Sequence, residues 1–269
     1  MKLNITDAQR LLASRIEDYL KKADRGELVC GNFLTPSDAA FVSAYMKEIG
    51  MTNRFFLFGG YNEAERKRIF ILPSFLSDIE GEAEEKARAY LPDEMSGLIR
   101  AVRIQGSGYR ALSHRDYLGS ILALGIERSS VGDVAIIDEY SAVVLCTDKI
   151  FDFLIASIDR VASDKVTVSE CESVSELEIK REYMPISDTV ASNRLDCIVG
   201  ALTNLSREKA QTAIKSGLCE VNYLPEDRCD VPLSIPSTVS LRGYGKYDVL
   251  SFDGETKKGR LRMVARKYV

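Results

Sequence analysis

Apolar residues recur along this chain at two spacings, helical and alternating, and the changes between them predict a mixed α+β protein. Ala8, Leu12, Ile16, Tyr19 and Leu20 fall at helical intervals, so an amphipathic helix is expected from Thr6 or Asp7 to Ala23. A second helix is expected from Thr35-Pro36-Ser37-Asp38, where threonine caps, proline suits the first position and the acid favours the first turn; Gly50 ends it. Arg54 to Phe58 and Ile69 to Leu72 read as strands stopped by Gly59-Gly60 and Pro73.

An acidic helix from about Gly81 to Leu91 leads to a clear order of elements. Ile99 to Ile104 alternates as a strand. Ser113 to Asp116 has the Ser-x-x-Asp form of a helix start, with Tyr117, Leu118, Ile121, Leu122 and Leu124 behind it. Val134 to Ile137 and Ala142 to Cys146 form a predicted hairpin, Ile150 to Val161 a helix, and Val166 to Val168 a last strand. The sum, βαββαβ, is the split ferredoxin-like arrangement that RNA-recognition domains use. Those domains stack bases on aromatic residues of their middle strands, and the strands here are aliphatic. Ser169 to Met184, rich in Ser and Glu, reads as a linker.

Beyond it, Leu195, Ile198, Val199 and Leu202 mark one buried helical stripe. Ser206 caps a second helix whose Ala210, Ala213 and Ile214 face inward, while Arg207, Gln211 and Lys215 stack along an exposed edge. Leu218 to Asn222, Thr238 to Arg242 and Leu261 to Val264 are expected strands, with a basic turn at Gly243 to Lys246.

Charge sharpens this reading. The net charge of −4 is unevenly spread: residues 184–269 hold 13 Lys and Arg against 10 Asp and Glu, and the remainder 23 against 30. Phosphate attraction depends on local charge, so the carboxyl end is the candidate nucleic-acid face. No apolar run approaches the roughly 18 residues of a membrane span, and a cytoplasmic location is the default expectation. Six scattered cysteines without a C-x-x-C pair predict free thiols, and one histidine leaves little for a metal site or a hydrolytic triad. No cofactor and no catalytic residue are expected.

The pattern Arg194-Leu195-Asp196, Ser206-Arg207 with Ala210, Ile214 and Gly217, then Val221-Asn222, resembles the RNA-binding domain of ribosomal small-subunit protein four, here the S-four domain. Gly59-Gly60-Tyr61, Ala64 to Arg68, His114 to Gly119, Leu124-Gly125-Ile126 and Gly132-Asp133, with that domain, are similar to the YlmH family of bacterial RNA-binding proteins. The resemblance implies a non-enzymatic, ribosome-associated RNA binder, with large-subunit rRNA as partner and peptidyl-tRNA nearby. It also implies a part in rescue of stalled subunits and a link to cell division. The expected RNA contacts are Arg194, Ser206, Arg207, Lys209, Gln211, Lys215, Asn222, Arg242 and Lys246, read as mostly backbone contacts because aromatic partners look few. Asp196 is expected to orient its basic neighbours or a helix end rather than touch the anion itself. Asn222 is followed by Tyr223 where many such domains have glycine.

Two secondary sites stay open. Arg66, Lys67 and Arg68 form either a solvated turn or an RNA-backbone contact. His114 and Arg115 either belong to a capped helix start or touch RNA at its amino end. The competing enzyme reading is an RNA-modifying protein of pseudouridine-synthase type with the S-four domain as anchor. Its Gly-Arg-Leu-Asp and Thr-Ser-Gly signature is absent, since Arg194-Leu195-Asp196 runs into Cys197-Ile198-Val199. The expected layout is an N-terminal α/β domain over 1–75, a ferredoxin-like domain expected to bind RNA over 76–170, and the S-four domain over 184–269.

Overall fold

The computed structural model describes residues 6–171 and 183–268. The core of the expected linker, residues 172–182, lies outside them. Over the described residues the fold is α+β with three antiparallel sheets, and the chain divides into two compact units at residues 179 and 180.

The first unit opens with α1 (Asp7–Ala23), β1 (Val29–Leu34), α2 (Pro36–Glu48), β2 (Phe55–Phe58) and β3 (Lys67–Ile71). Thr6 caps α1 in a reciprocal box with Gln9, and Thr35 caps α2 through the Asp38 amide. The sheet order is β1-β3-β2. Ile69 and Ile71 meet Ile16, Phe41, Val42 and Met46 of the two helices on one side; Phe56 and Phe70 meet α3 (Ala83–Tyr90) on the other. On α3, Lys86 is 3% exposed and its ammonium donates to the carbonyls of Asn53, Leu76 and Ile79 at 3.0, 3.2 and 3.3 Å. The short α4 (Pro92–Met95) leads out of this layer.

The second layer of the unit comprises β4 (Ile99–Gly106), α5 (His114–Ala123), β5 (Val131–Asp138), β6 (Ser141–Thr147), α6 (Asp148–Ser157), β7 (Arg160–Val161) and β8 (Asp164–Glu170), in sheet order β5-β6-β4-β8-β7. The helix expected to reach Val161 stops at Ser157, because Ile158 turns extended and Val161 joins β7. Val102, Ile104, Val144 and Cys146 face the two helices with Tyr117, Ile121 and Leu154. Their alternate neighbours Ala101, Val143 and Leu145 point the other way and are buried against Phe33, Tyr61 and Ala64. The sheet face on which RNA-recognition domains stack bases is therefore partly closed by the N-terminal layer.

The carboxylate of Asp133 ties the layers together. It accepts from the Tyr61 hydroxyl at 2.7 Å and from the Glu65 and Arg66 amides at 2.8 and 3.0 Å.

The second unit consists of β9 (Tyr183–Val190), α7 (Leu195–Thr203), α8 (Arg207–Lys215), β10 (Cys219–Val221), β11 (Leu224–Pro225), β12 (Ser237–Leu241), β13 (Gly245–Glu255) and β14 (Leu261–Tyr268). Its six strands run β11-β10-β12-β13-β14-β9. Val239, Leu241, Val249, Met263 and Ala265 bury one face under Leu195, Ile198, Val199, Ala210 and Ile214 of the helix pair. The intervening residues of β12, β13 and β14 form the opposite, outward face.

Candidate nucleic-acid interface

The helix pair is organised by one buried carboxylate. Asp196 sits in the first turn of α7, with its amide and that of Leu195 held by the carbonyls of Cys229 and Val231 at 3.0 and 2.9 Å. Its side chain is fully buried. Arg194 grips it through Nε and Nη2, both at 3.1 Å; Arg207 adds Nε at 3.2 Å and Gln211 adds Nε2 at 2.7 Å. Burial pushes the Asp196 carboxyl up, but the hydrogen bonds from Arg194, Gln211 and Arg207 outweigh it and hold the group well below the usual carboxylate range. The two arginines remain 39% and 60% exposed, so the carboxylate fixes their side chains while leaving guanidinium surface open to an anion. Asp196 thus has no free oxygen facing solvent, which argues against its use as a nucleophile.

The other expected contacts fall in several places. Ser206 caps α8 by accepting from the Lys209 amide at 3.4 Å. Lys215 is exposed two turns beyond Arg207, but Lys209 lies about 200° around the helix from Arg207 and leaves that edge. Gln211 is spent on Asp196. Asn222 is a turn residue: its amide nitrogen donates to the Ser237 hydroxyl and its side-chain oxygen accepts from the Thr238 amide. Asn222 and Tyr223 are both left-handed, with φ of 49° and 65°, in the two-residue turn between Val221 and Leu224. That conformation costs a non-glycine residue about 1 kcal/mol or more.

Arg242 is exposed just past β12, and Lys246 lies on the outward sheet face. Its ammonium sits 4.2 Å from the Tyr268 ring centre and 4.9 Å from that of Tyr223. Beside it, Arg266 covers the Tyr183 ring at 3.7 Å, and Tyr183 and Tyr268 meet edge to face at 5.1 Å. Asp248 pins this row by accepting from Thr238 Oγ1, Arg266 Nε and the Tyr268 hydroxyl at 2.9, 2.9 and 3.2 Å. Tyrosines far apart in sequence converge here through strand register, a clustering that the local sequence does not show. Period-two alternation along β14 was a signal for Arg266 and Tyr268; none marked Tyr183.

In the first unit the basic triplet does not form an open phosphate site. Arg68 is 3% exposed, with its guanidinium donating to the carbonyls of Gly31 and Leu98. Arg66 donates to the carbonyls of Val131, Phe33 and Arg128 at 3.1, 3.3 and 3.3 Å. Both are committed to holding layers together, and Lys67 between them is half-buried. His114 and Arg115 are exposed at the start of α5, which Ser113 and Asp116 close with a capping box. Although its ring reaches solvent, partial desolvation by the surrounding protein, and then the charge of Arg128, lower the His114 pKa from its ordinary value.

Among the described residues no group of His, Cys, Asp or Glu is placed to hold a metal ion, and no helix is long and apolar enough to cross a membrane.

Residues 99–175 match the family model described as "Putative RNA-binding domain in YlmH". A Bacillus subtilis (strain 168) protein named "Ribosome-associated protein quality control protein P2" is 26% identical over 234 residues, covering 86% of this chain and 84% of that protein. The cell division protein ylmH from Streptococcus pneumoniae superposes with a TM-score of 0.47 at 14% identity, over 66% of this chain and 99% of that one. The family match and the Bacillus relative bear out the YlmH resemblance read from the sequence.

Proposed function

We propose that this chain is a non-enzymatic RNA-binding protein that associates with the ribosome, with its C-terminal unit acting as an S-four-type module. Large-subunit rRNA is the partner, with peptidyl-tRNA nearby, and the role is rescue of stalled subunits with a link to cell division. The observation that carries the RNA-binding reading is the Asp196 cluster, in which one buried carboxylate presents Arg194 and Arg207 as partly exposed, pre-oriented donors. Such guanidinium groups suit phosphate oxygens, and fixing them beforehand lowers the entropy cost of binding. The name of the Bacillus relative supports the ribosomal setting, and the matched family supports RNA as the ligand. The strand order of the five-stranded sheet supports a ferredoxin-like plan for the middle layer.

Co-sedimentation with ribosomal large subunits at near-physiological salt tests this. Arg194→Ala and Arg207→Ala should each release the protein into the supernatant while leaving its circular dichroism unchanged. Full co-sedimentation of both variants would sink the proposal.

A further inference from the structure

The outward face of the C-terminal sheet holds side chains that the Asp196 cluster does not use. A sheet packed on one side only normally shows water small polar and charged residues on the other. Here Tyr183, Tyr223 and Tyr268 are half-buried, and cations lie against their rings. Core packing does not call for them, because the apolar layer lies on the opposite side of the strands.

Tyr223 is the sharper clue. Its φ of 65° belongs to a two-residue turn that glycine would make without strain, yet a large ring occupies the position. The ring thus sits there at a local backbone cost, with its centre 4.9 Å from the Lys246 ammonium on the same face as Tyr268. Charge fits one class of occupant. Arg266 lies against Tyr183 beside Tyr268, and the second unit is the basic part of an otherwise acidic chain. Rings for bases and cations for the adjoining phosphates are the two components of a single-strand platform. Paired RNA keeps its base faces stacked inside the helix, so the ring faces suit unpaired nucleotides only.

We propose that this face is a second RNA-contact surface, on which Tyr223 and Tyr268 stack unpaired nucleotides while Arg266 and Lys246 meet the phosphates between them. It rests on the RNA-binding reading above but uses the opposite side of the sheet from Arg194 and Arg207, so the two are separable by experiment.

The test uses the full chain, Tyr223→Gly, Arg207→Ala, a single-stranded oligouridine and a fully paired RNA duplex. Glycine relieves the left-handed turn, so Tyr223→Gly should unfold at a midpoint no lower than the parent. It should bind oligouridine about tenfold more weakly, the effect of losing one stacked base, with duplex affinity unchanged. Arg207→Ala should weaken the duplex. Unchanged oligouridine affinity in Tyr223→Gly, or an equal loss for both RNAs, would overturn the proposal. Photo-crosslinking of the parent protein to 4-thiouridine RNA decides independently of that variant's folding: adducts on Tyr223 or β14 support the platform, and adducts confined to α7 and α8 reject it. Loss of duplex binding in neither variant would instead count against the Asp196 cluster.

Discussion

Phe33 lies so close to Gly132 that a Cβ at residue 132 would stand 2.7 Å from its ring, with the Leu145 Cβ at 2.8 Å on the other side. The contact joins β1 to β5 and closes part of the middle sheet's open face. Neither neighbour is the end of a flexible side chain, so Gly132→Ala should destabilise the first unit by about 1–3 kcal/mol. Faster hydrogen exchange at the Glu65 and Arg66 amides, which Asp133 holds, would report the loosening. Parental stability and exchange would show that the interface tolerates the added methyl.

Asp196→Asn tests whether the carboxylate is the organiser of the helix pair. At neutral pH the variant should lose about 2 kcal/mol, less than for a closed buried pair because Arg194 and Arg207 reach solvent. The Asp196 pKa is depressed by folding, so its contribution is complete above the unfolded value near 4 and disappears as pH falls through the folded one. The stability gap between parent and variant should thus be widest from pH 5 upward and shrink below about pH 4. Urea melts across that range would show a gap independent of pH if the negative charge were immaterial.

For RNA binding, Arg207→Ala should reduce the slope of log affinity against log salt by about one, as expected for one lost phosphate contact. Arg68→Ala should leave that slope unchanged, since its guanidinium faces protein carbonyls. A slope change in Arg68→Ala alone would reverse the assignment of roles.

Lys86 offers a further check. Replacing it by Met keeps most of the volume but strips the donor from three carbonyls, so a loss of about 2–3 kcal/mol is expected in thermal or urea unfolding. A neutral Lys86→Met would mean that water takes over the ammonium's place.

The sequence made most helices legible because their caps are local. Thr6, Thr35, Ser113 and Ser206 each sit three residues before the amide they accept from, and each begins a helix. Strands β1, β9 and β13 escaped the reading for physical reasons. Gly31 interrupts β1, where a Cβ would meet Ile69 at 2.8 Å and Tyr19 at 3.0 Å. Pro185, Ser187 and Asp188 disguise β9, which tolerates proline as the edge strand of its sheet. Register shifts between Val249 and Ser251, and again before Glu255, break the alternation of β13.

The site was legible only in part. Spacing by four identified the edge of Arg207, Gln211 and Lys215, but the carboxylate that binds two of them lies 11 and 15 residues earlier in the chain. A run of three basic residues looked solvent-facing because nothing local shows that the carbonyls of Gly31 and Leu98 would close over Arg68.

Strand β9 comes first in the second unit yet pairs with β14, the last, in unbroken register from Val190 with Leu261 to Tyr183 with Tyr268. During synthesis, residues 183–190 emerge with no ladder to join until 261–268 have followed. The Tyr183–Tyr268 contact is therefore among the last to form as the polypeptide grows, so a nascent chain halted before β14 lacks it. Synthesis through residue 268 is thus a built-in precondition for assembling the outer tyrosine row.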